Sequence, residues 1–352
     1  MHKRQDGSWW RIYFRYHAFW VLLLLAGWVA FPVGGAAQAL RFEFGLIGDL
    51  PYNPEQEAKF PHLIQTMNEA NLAFVVHNGD FKSGVTPCSD EIFTDRKALF
   101  HTSKHPFIFL PGDNDWTDCH DAKAGGHDPI ERLTKLREVF FQGDHSLGQR
   151  TLSLTRQSNT PPYAKFRENV RWTYGEVLFV GLHLVGSNNN LGRASEADAE
   201  YAERNAANLL WLQQAFALAK RPEHKALMLI TQANPNFEDR WPLPPAHLKA
   251  LRIAPSEPQP SGFSDFLTAL ERETLAFDKP VVLVHGDTHY FRIDKPLYSS
   301  TSKRMIEHFT RVETFGAPNA HWMRAIVDPN DPQVFLFKPE MVKKNLVKHG
   351  AQ

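Results

Sequence analysis

Four times along this 352-residue chain an apolar run ends in glycine followed at once by aspartate. The pairs are Gly48-Asp49 in LIGDLPY, Gly79-Asp80 in FVVHNGDFKSG, Gly112-Asp113 in FIFLPGDNDW and Gly286-Asp287 in VLVHGDTHYF, the last with His289 two residues on. A single Gly-Asp pair is ordinarily a turn. Four at the ends of apolar runs are a different matter, because in an open α/β sheet the ligand crevice lies at the carboxyl ends of the strands. Four carboxylates delivered there would repel one another, and a protein tolerates such a crowd by placing cations between them. The chemistry this pattern can do is therefore metal-ion chemistry. No G-x-S-x-G elbow, phosphate-binding loop or C-x-x-C pair occurs to suggest another kind.

The elements needed to position these residues can be read from periodicity. Short runs rich in Val, Ile, Leu and Phe alternate with amphipathic segments, as in strand-helix-strand units. Strands are expected at 41–47, 72–76, 106–110, 177–185, 225–230 and 281–284. Helices are expected at 55–70, 91–100, from Pro129 onward, and at 195–219. The segment 149–174 loses its periodicity, and the whole stretch between Ile230 and Val281, with its prolines from Pro242 to Pro260, reads as a long rigid loop rather than a helix. Runs at 309–314, 322–327 and 334–337 read as strands that finish a second sheet.

In order and approximate spacing the motifs resemble those of the calcineurin-like metallophosphoesterase superfamily, over nearly all of the chain beyond residue 39. In detail they are most similar to an exported bacterial branch carrying GDxPY, GDN[DE]WTDC and HGDTH, the last two present as Gly112–Cys119 and His285–His289. The resemblance implies a four-layer α/β sandwich, two mixed sheets face to face with helices outside. It also implies two divalent metals, with Asp49 and His289 on the first and Asp80 bridging both.

Elsewhere the chain departs from the family pattern. Pro51 stands where D-x-H has its histidine, so water or Tyr52 must replace that ligand. Asp113 takes an asparagine position at the second metal, and Asp287 an imidazole position. Gln232, or Asn234, replaces a ligating histidine after Ile230. Asn114 occupies the place of the histidine that assists the leaving group; it stays among the candidate catalytic and metal-site residues, although an amide cannot act as a general acid. His120, His285 and His183 are the alternative proton donors. Since nitrogen ligands give way to oxygen, Mn, Mg or Ca are expected over Zn, with Fe also admitted.

Around this set, Lys82 and Asn188 are candidate substrate contacts, with Ser187, Asn189 and Asn190 on the same rim. His77 is expected to be a core residue, as are Arg311 and Trp322. Cys88 and Cys119 are the only cysteines. In an oxidising compartment they would pair, tethering the loop that holds Trp116, Asp118 and His120.

The N-terminus supports such a compartment. Basic residues Lys3, Arg4, Arg11 and Arg15 precede an uncharged run over 18–33 and small residues ending at Ala37-Gln38-Ala39, the layout of a secretory signal peptide cut after Ala39. An uncleaved N-terminal anchor is the alternative, and would be the sole membrane attachment. Residues 40–352 then form one metallophosphoesterase domain, periplasmic or secreted. Lys plus Arg and Asp plus Glu both number 39, and no basic block suited to nucleic acid appears. A small phosphate ester is the expected partner, and no protein partner is implied. The functional expectation is hydrolysis of a phosphomonoester or phosphodiester by a metal-bound hydroxide. The alternative is a metal- or phosphate-binding protein without turnover on a degenerate phosphoesterase fold.

Overall fold

The computed structural model describes residues 40–237 and 260–347. The signal-peptide segment and most of the proline-rich loop lie outside the described residues.

Among the described residues twelve strands form two sheets. In the smaller, β1 (Phe42–Ile47), β2 (Val75–His77) and β3 (Phe107–Phe109) run parallel, and β11 (Trp322–Val327) and β12 (Phe335–Glu340) add antiparallel beyond β1, in the order β12-β11-β1-β2-β3. The larger runs β4-β5-β6-β7-β8-β10-β9. Its parallel centre is β6 (Val177–Gly181), β7 (Ala226–Ile230), β8 (Val281–His285) and β10 (Phe309–Glu313). At its borders β4 (Thr155–Arg156), β5 (Val170–Tyr174) and β9 (Arg292–Asp294) pair antiparallel.

The parallel strands β3, β6 and β7 are apolar throughout, and β2 and β8 up to their terminal histidines, because both faces are covered. Phe44, Phe74, Ile108, Phe179, Met228, Val284 and Met323 lie between the sheets. The outer face of the small sheet carries α1 (Pro54–Glu69), α2 (Asp90–Phe100) and α3 (Pro129–Phe140) through Phe60, Leu63, Phe93, Phe100, Leu136 and Phe140. The large sheet carries the helices Ser195–Ala219 and Ser264–Leu275 through Trp211, Phe216, Phe266 and Leu270. The expected four-layer sandwich is thus observed.

Three local readings change. The runs after 309 do not finish one sheet: β10 joins the large sheet, whereas β11 and β12 extend the small one. The segment 149–174 contains β4 and β5, whose outward Arg171 and Thr173 dilute the apolar signal. The stretch between Ile230 and Val281 is not all loop: it contains the helix Ser264–Leu275, whose start just after Pro260 was hidden by the prolines before it. Among the described residues no helix is long and apolar enough to cross a membrane.

The helix beginnings are fixed locally. Asn53 caps α1 by accepting from the Gln56 amide, with Pro54 at the first helical position, and Asp128 with Pro129 repeats the device at α3. At α1 this cap lies one residue after Tyr52, whose own amide donates to Gln56 Oε1 at 2.7 Å. Tyr52 is therefore pinned beside the end of β1. Cys88 and Cys119 form a disulfide. It ties the segment after β2 to the 3-10 turn Thr117–His120 that follows β3.

Candidate functional site

The four Gly-Asp aspartates meet at one place, at the carboxyl ends of β1, β2, β3 and β8. Asp49 Oδ1 accepts the Asp287 amide at 3.0 Å and lies 3.6 Å from His289 Nε2. Asp80 Oδ1 accepts the Asn114 amide at 3.1 Å, and its Oδ2 accepts from Gln232 Nε2 at 3.1 Å. Asp113 Oδ2 accepts from Ser187 Oγ at 2.9 Å. The two sheets thus interlock across the pocket. Asp49, Asp80 and Asp113 come from the small one, whereas Gln232, Asp287 and His289 come from the large one.

The backbone is strained where these side chains leave it. Asp49, Asp80, Asp287 and His289 all have left-handed φ values, at 53°, 59°, 79° and 59°. Such conformations cost about 1–3 kcal/mol each and concentrate at functional sites. Glycine is required beside them: a Cβ on Gly112 would stand 2.0 Å from Asp80 Oδ1, and one on Gly286 would stand 2.1 Å from Asp49 Oδ2.

Burial is the main cause of the site's unusual acidity. It pushes Asp49 and Asp80 well above the ordinary carboxylate range, and the neighbouring aspartates push the same way. Burial, then the charges of Asp287 and Asp118, raises Asp113 to about 8. Asp115 rises to about 7 and Asp287 also rises, each chiefly through burial.

Asp49 Oδ2 is fully buried and has no hydrogen-bond partner. Among the described residues no three carboxylates, imidazoles or thiols stand at mutual ligating separation. The donor set nevertheless fits divalent cations. It offers an orphaned carboxylate oxygen, four acids that resist ionisation without a counter-charge, and one partly exposed imidazole. Asp49, Asp80 and His289 would hold one ion, and Asp80, Asp113 and Asp287 the other.

A pH effect follows. Acids raised in the fold bind more protons there than in the unfolded chain between roughly pH 4 and pH 8, so the metal-free protein loses stability as pH rises through that window. A bound cation requires the ionised acids and reverses the trend. The rise in melting temperature on adding Mn should therefore be larger at pH 8 than at pH 6. An equal rise at both would contradict the electrostatic origin.

Several expected site residues have other duties. Gln232 Oε1 accepts the Gly186 amide at 2.7 Å, which turns its amide hydrogens toward Asp80 and Asp287. It is a donor that spaces two carboxylates, and no oxygen ligand in this arrangement. Asn234 supplies its backbone amide to Asp287 Oδ2 at 3.0 Å. Lys82 is buried, with Nζ donating to Ser83 O. Asn188 donates to Leu191 O and Pro260 O and accepts from the Gly262 amide, so it fastens the rim instead of facing a substrate.

Of the candidate proton donors, His285 is buried and burial lowers its pKa to about 3. Its Nδ1 lies 2.8 Å from Gly286 O. It is neutral and sealed off, which corrects its assignment as a catalytic acid. His183 is likewise buried, beside Glu168 at 2.8 Å. His120 is exposed on the 3-10 turn, with its ring against Thr117 O. His77 is a core residue, as expected, packed on Phe100 and bonded to Leu50 O.

Other residues carry more of the site than the motifs indicated. Tyr52 Oη lies 3.1 Å from Asp80 Oδ2 and 3.2 Å from His289 Nε2, and accepts from Asn114 Nδ2 at 3.0 Å. Asp115 accepts from the amides of Asp80, Phe81 and Gly112, joining the ends of β2 and β3. Glu313 accepts from Thr288 Oγ1, the Tyr290 amide and Arg292, and so shapes the loop that presents His289. Residues 187–190 form a left-handed turn with φ between 48° and 68°. Asparagine tolerates that conformation, and buried Arg204 holds the turn through Asn189 O and Oδ1.

No family model matches the sequence, and no curated protein matches it. Among solved structures, PhoD is similar over 83% of this chain and 65% of its own, with 12% identity and a TM-score of 0.50. A 5'-nucleotidase from Candida albicans shares 11% identity over 86% of this chain and 52% of its own, with a TM-score of 0.41. Vacuolar protein sorting 29 from Cryptosporidium parvum shares 12% identity over 85% of this chain and 97% of its own, with a TM-score of 0.32. The chain thus spans less than two thirds of the length of the first two. The likeness to PhoD shows the fold, a pair of mixed sheets flanked by helices.

Proposed function

We propose that this chain is a metal-dependent hydrolase of phosphate esters, exported by a signal peptide over residues 1–39 and acting through the domain 40–352 in the periplasm or outside the cell. The observation that carries the reading is the convergence of Asp49, Asp80, Asp113 and Asp287 from both sheets on one buried point, with Asp49 Oδ2 unpartnered. When bound, two divalent ions would supply an activated water and neutralise charge developing on phosphorus. The residues present would do the rest. Asp80 faces both halves of the pocket, held by the Asn114 amide and Gln232. His289 is oriented by Ala317 O at its Nδ1, leaving Nε2 toward Asp49. The oxygen-rich set favours Mn, Mg or Ca over Zn, and admits Fe. A small phosphate ester is the substrate class, with no nucleic-acid, membrane or protein partner required.

The second reading, a metal or phosphate binder without turnover, draws on Asn114, which cannot donate a proton as an acid, and on the sealed position of His285. Protein loaded separately with Mn, Mg, Ca or Zn and assayed with p-nitrophenyl phosphate and its bis ester separates the two. Hydrolysis, fastest with one of the first three metals, is expected. Metal binding with no hydrolysis by any of the four would leave the binder.

A further inference from the structure

Asp115 is not one of the proposed metal ligands, yet it is fully buried and takes three backbone donors. Its Oδ2 accepts both the Gly112 amide at 2.8 Å and the Asp80 amide at 3.0 Å, and its Oδ1 accepts the Phe81 amide at 3.0 Å. One carboxylate oxygen thus fixes how closely the end of β3 approaches the end of β2.

That approach is tight at the residues that matter. A Cβ on Gly112 would meet Asp80 Oδ1 at 2.0 Å, and Asp80 itself has a left-handed φ of 59°. A strained residue keeps its conformation only when its surroundings hold it, and here the amides of Asp80 and of the residue after it both end on Asp115. Asp113 follows Gly112 in the chain, so the same brace fixes where Asp113 stands relative to Asp80.

The fully buried Lys82 supplies a counter-charge. Its Nζ donates to Ser83 O, and of the acids acting on its ammonium Asp115 comes first, ahead of Asp80, Asp118 and Asp113. Burial pushes Asp115 up, and the Gly112 amide, the Lys82 charge and the amides of Asp80 and Phe81 oppose that rise.

We infer that Asp115 is the positioning residue that sets Asp80 and Asp113 for metal binding, and that Lys82 is its buried counter-ion and not a substrate contact. The inference rests on the metal assignments of the phosphoesterase reading. Removing an outer partner of this kind costs about ten- to a hundredfold in metal affinity or activity.

The experiment compares the full chain with Asp115→Asn, Lys82→Met and the double variant at pH 8. Calorimetry with Mn, thermal melting in chelator and hydrolysis of the p-nitrophenyl phosphate bis ester are followed on each. Both single variants should melt below the parent, because each leaves a buried charge unmatched. The double variant removes one charge of each sign, so its net charge is that of the parent and its melting temperature should recover. Its Mn affinity should nevertheless stay about ten- to a hundredfold down, because the asparagine nitrogen now faces a backbone N–H, donor against donor.

Mn affinity that recovers together with the melting temperature would reduce Asp115 to a charge partner and overturn the inference. Parent affinity in Asp115→Asn would do the same. A double variant that melts no higher than the single ones overturns the pairing with Lys82, as would a Lys82→Met variant whose only change is a higher KM. A parent that binds Mn but cleaves no ester, with affinity lost in the double variant, keeps the positioning role and removes the hydrolase reading. A parent that binds no Mn removes both.

Discussion

Asp80→Asn should lower metal-dependent ester hydrolysis by about a thousandfold or more while raising the melting temperature of the metal-free protein. The first effect follows from position. Asp80 is the carboxylate proposed to serve both ions; its Oδ1 accepts from the Asn114 amide and its Oδ2 from the Tyr52 hydroxyl and Gln232 Nε2. An amide there keeps the volume but removes the charge that two ions would share, and several kcal/mol of transition-state stabilisation correspond to factors of that size. The second effect has the opposite sign because burial and the charges of Asp113, Asp115, Asp49 and Asp287 all disfavour the ionised acid. Removing it relieves repulsion. Kinetics and a chelated thermal melt on the same preparation check both, and retained turnover would refute the bridging role.

Loss of the disulfide should be the largest effect on stability. The bridge closes a separation of 31 residues, for which chain entropy suggests about 3–4 kcal/mol. Cys88→Ser with Cys119→Ser should then lower the melting temperature by roughly 5–6 °C. Both cysteines are fully buried, so two hydroxyls without assured partners add to the loss. The consequence reaches the pocket because Cys119 lies on the turn that carries Asp118 and closes onto Asp113 through the Asp118 amide. Backbone bonds from Cys88 N to Ala124 O and from His127 N to Cys119 O also hold this corner. A melting temperature unchanged in the double variant would show that these bonds suffice.

Much of this site was legible because its placement rests on chain geometry. A parallel strand buried on both faces announces itself as an apolar run, and the residue after its last glycine must lie on the crest where the sheets open. Asp49, Asp80, Asp113 and Asp287 could be placed in one pocket on that ground alone. The contacts between crest residues were not legible. Nothing in the local sequence says that the Gly186 amide claims Gln232 Oε1, or that Asn188 faces Pro260 and Gly262. Asp115 was visible in the GDND run, but its partners, the amides of Asp80 and Phe81, lie more than thirty residues back along the chain. His285 looked like a site residue because it precedes Gly286, yet strand alternation turns it into the sheet. The division of β10 from β11 and β12 was hidden for a related reason: strand periodicity reports exposure and carries no label for the sheet a strand joins.

The pocket draws its acids from both halves of the sandwich, and this gives it a mechanical role. Without counter-ions it is a wedge of like charge driven between two slabs at one end, restrained by bonds such as Asp287 N to Asp49 Oδ1 and Gln232 Nε2 to Asp80 Oδ2. Divalent cations would turn the wedge into a rivet. Susceptibility to a nonspecific protease, which cleaves chains that breathe open, should accordingly climb in a chelating buffer at alkaline pH and subside when Mn is restored.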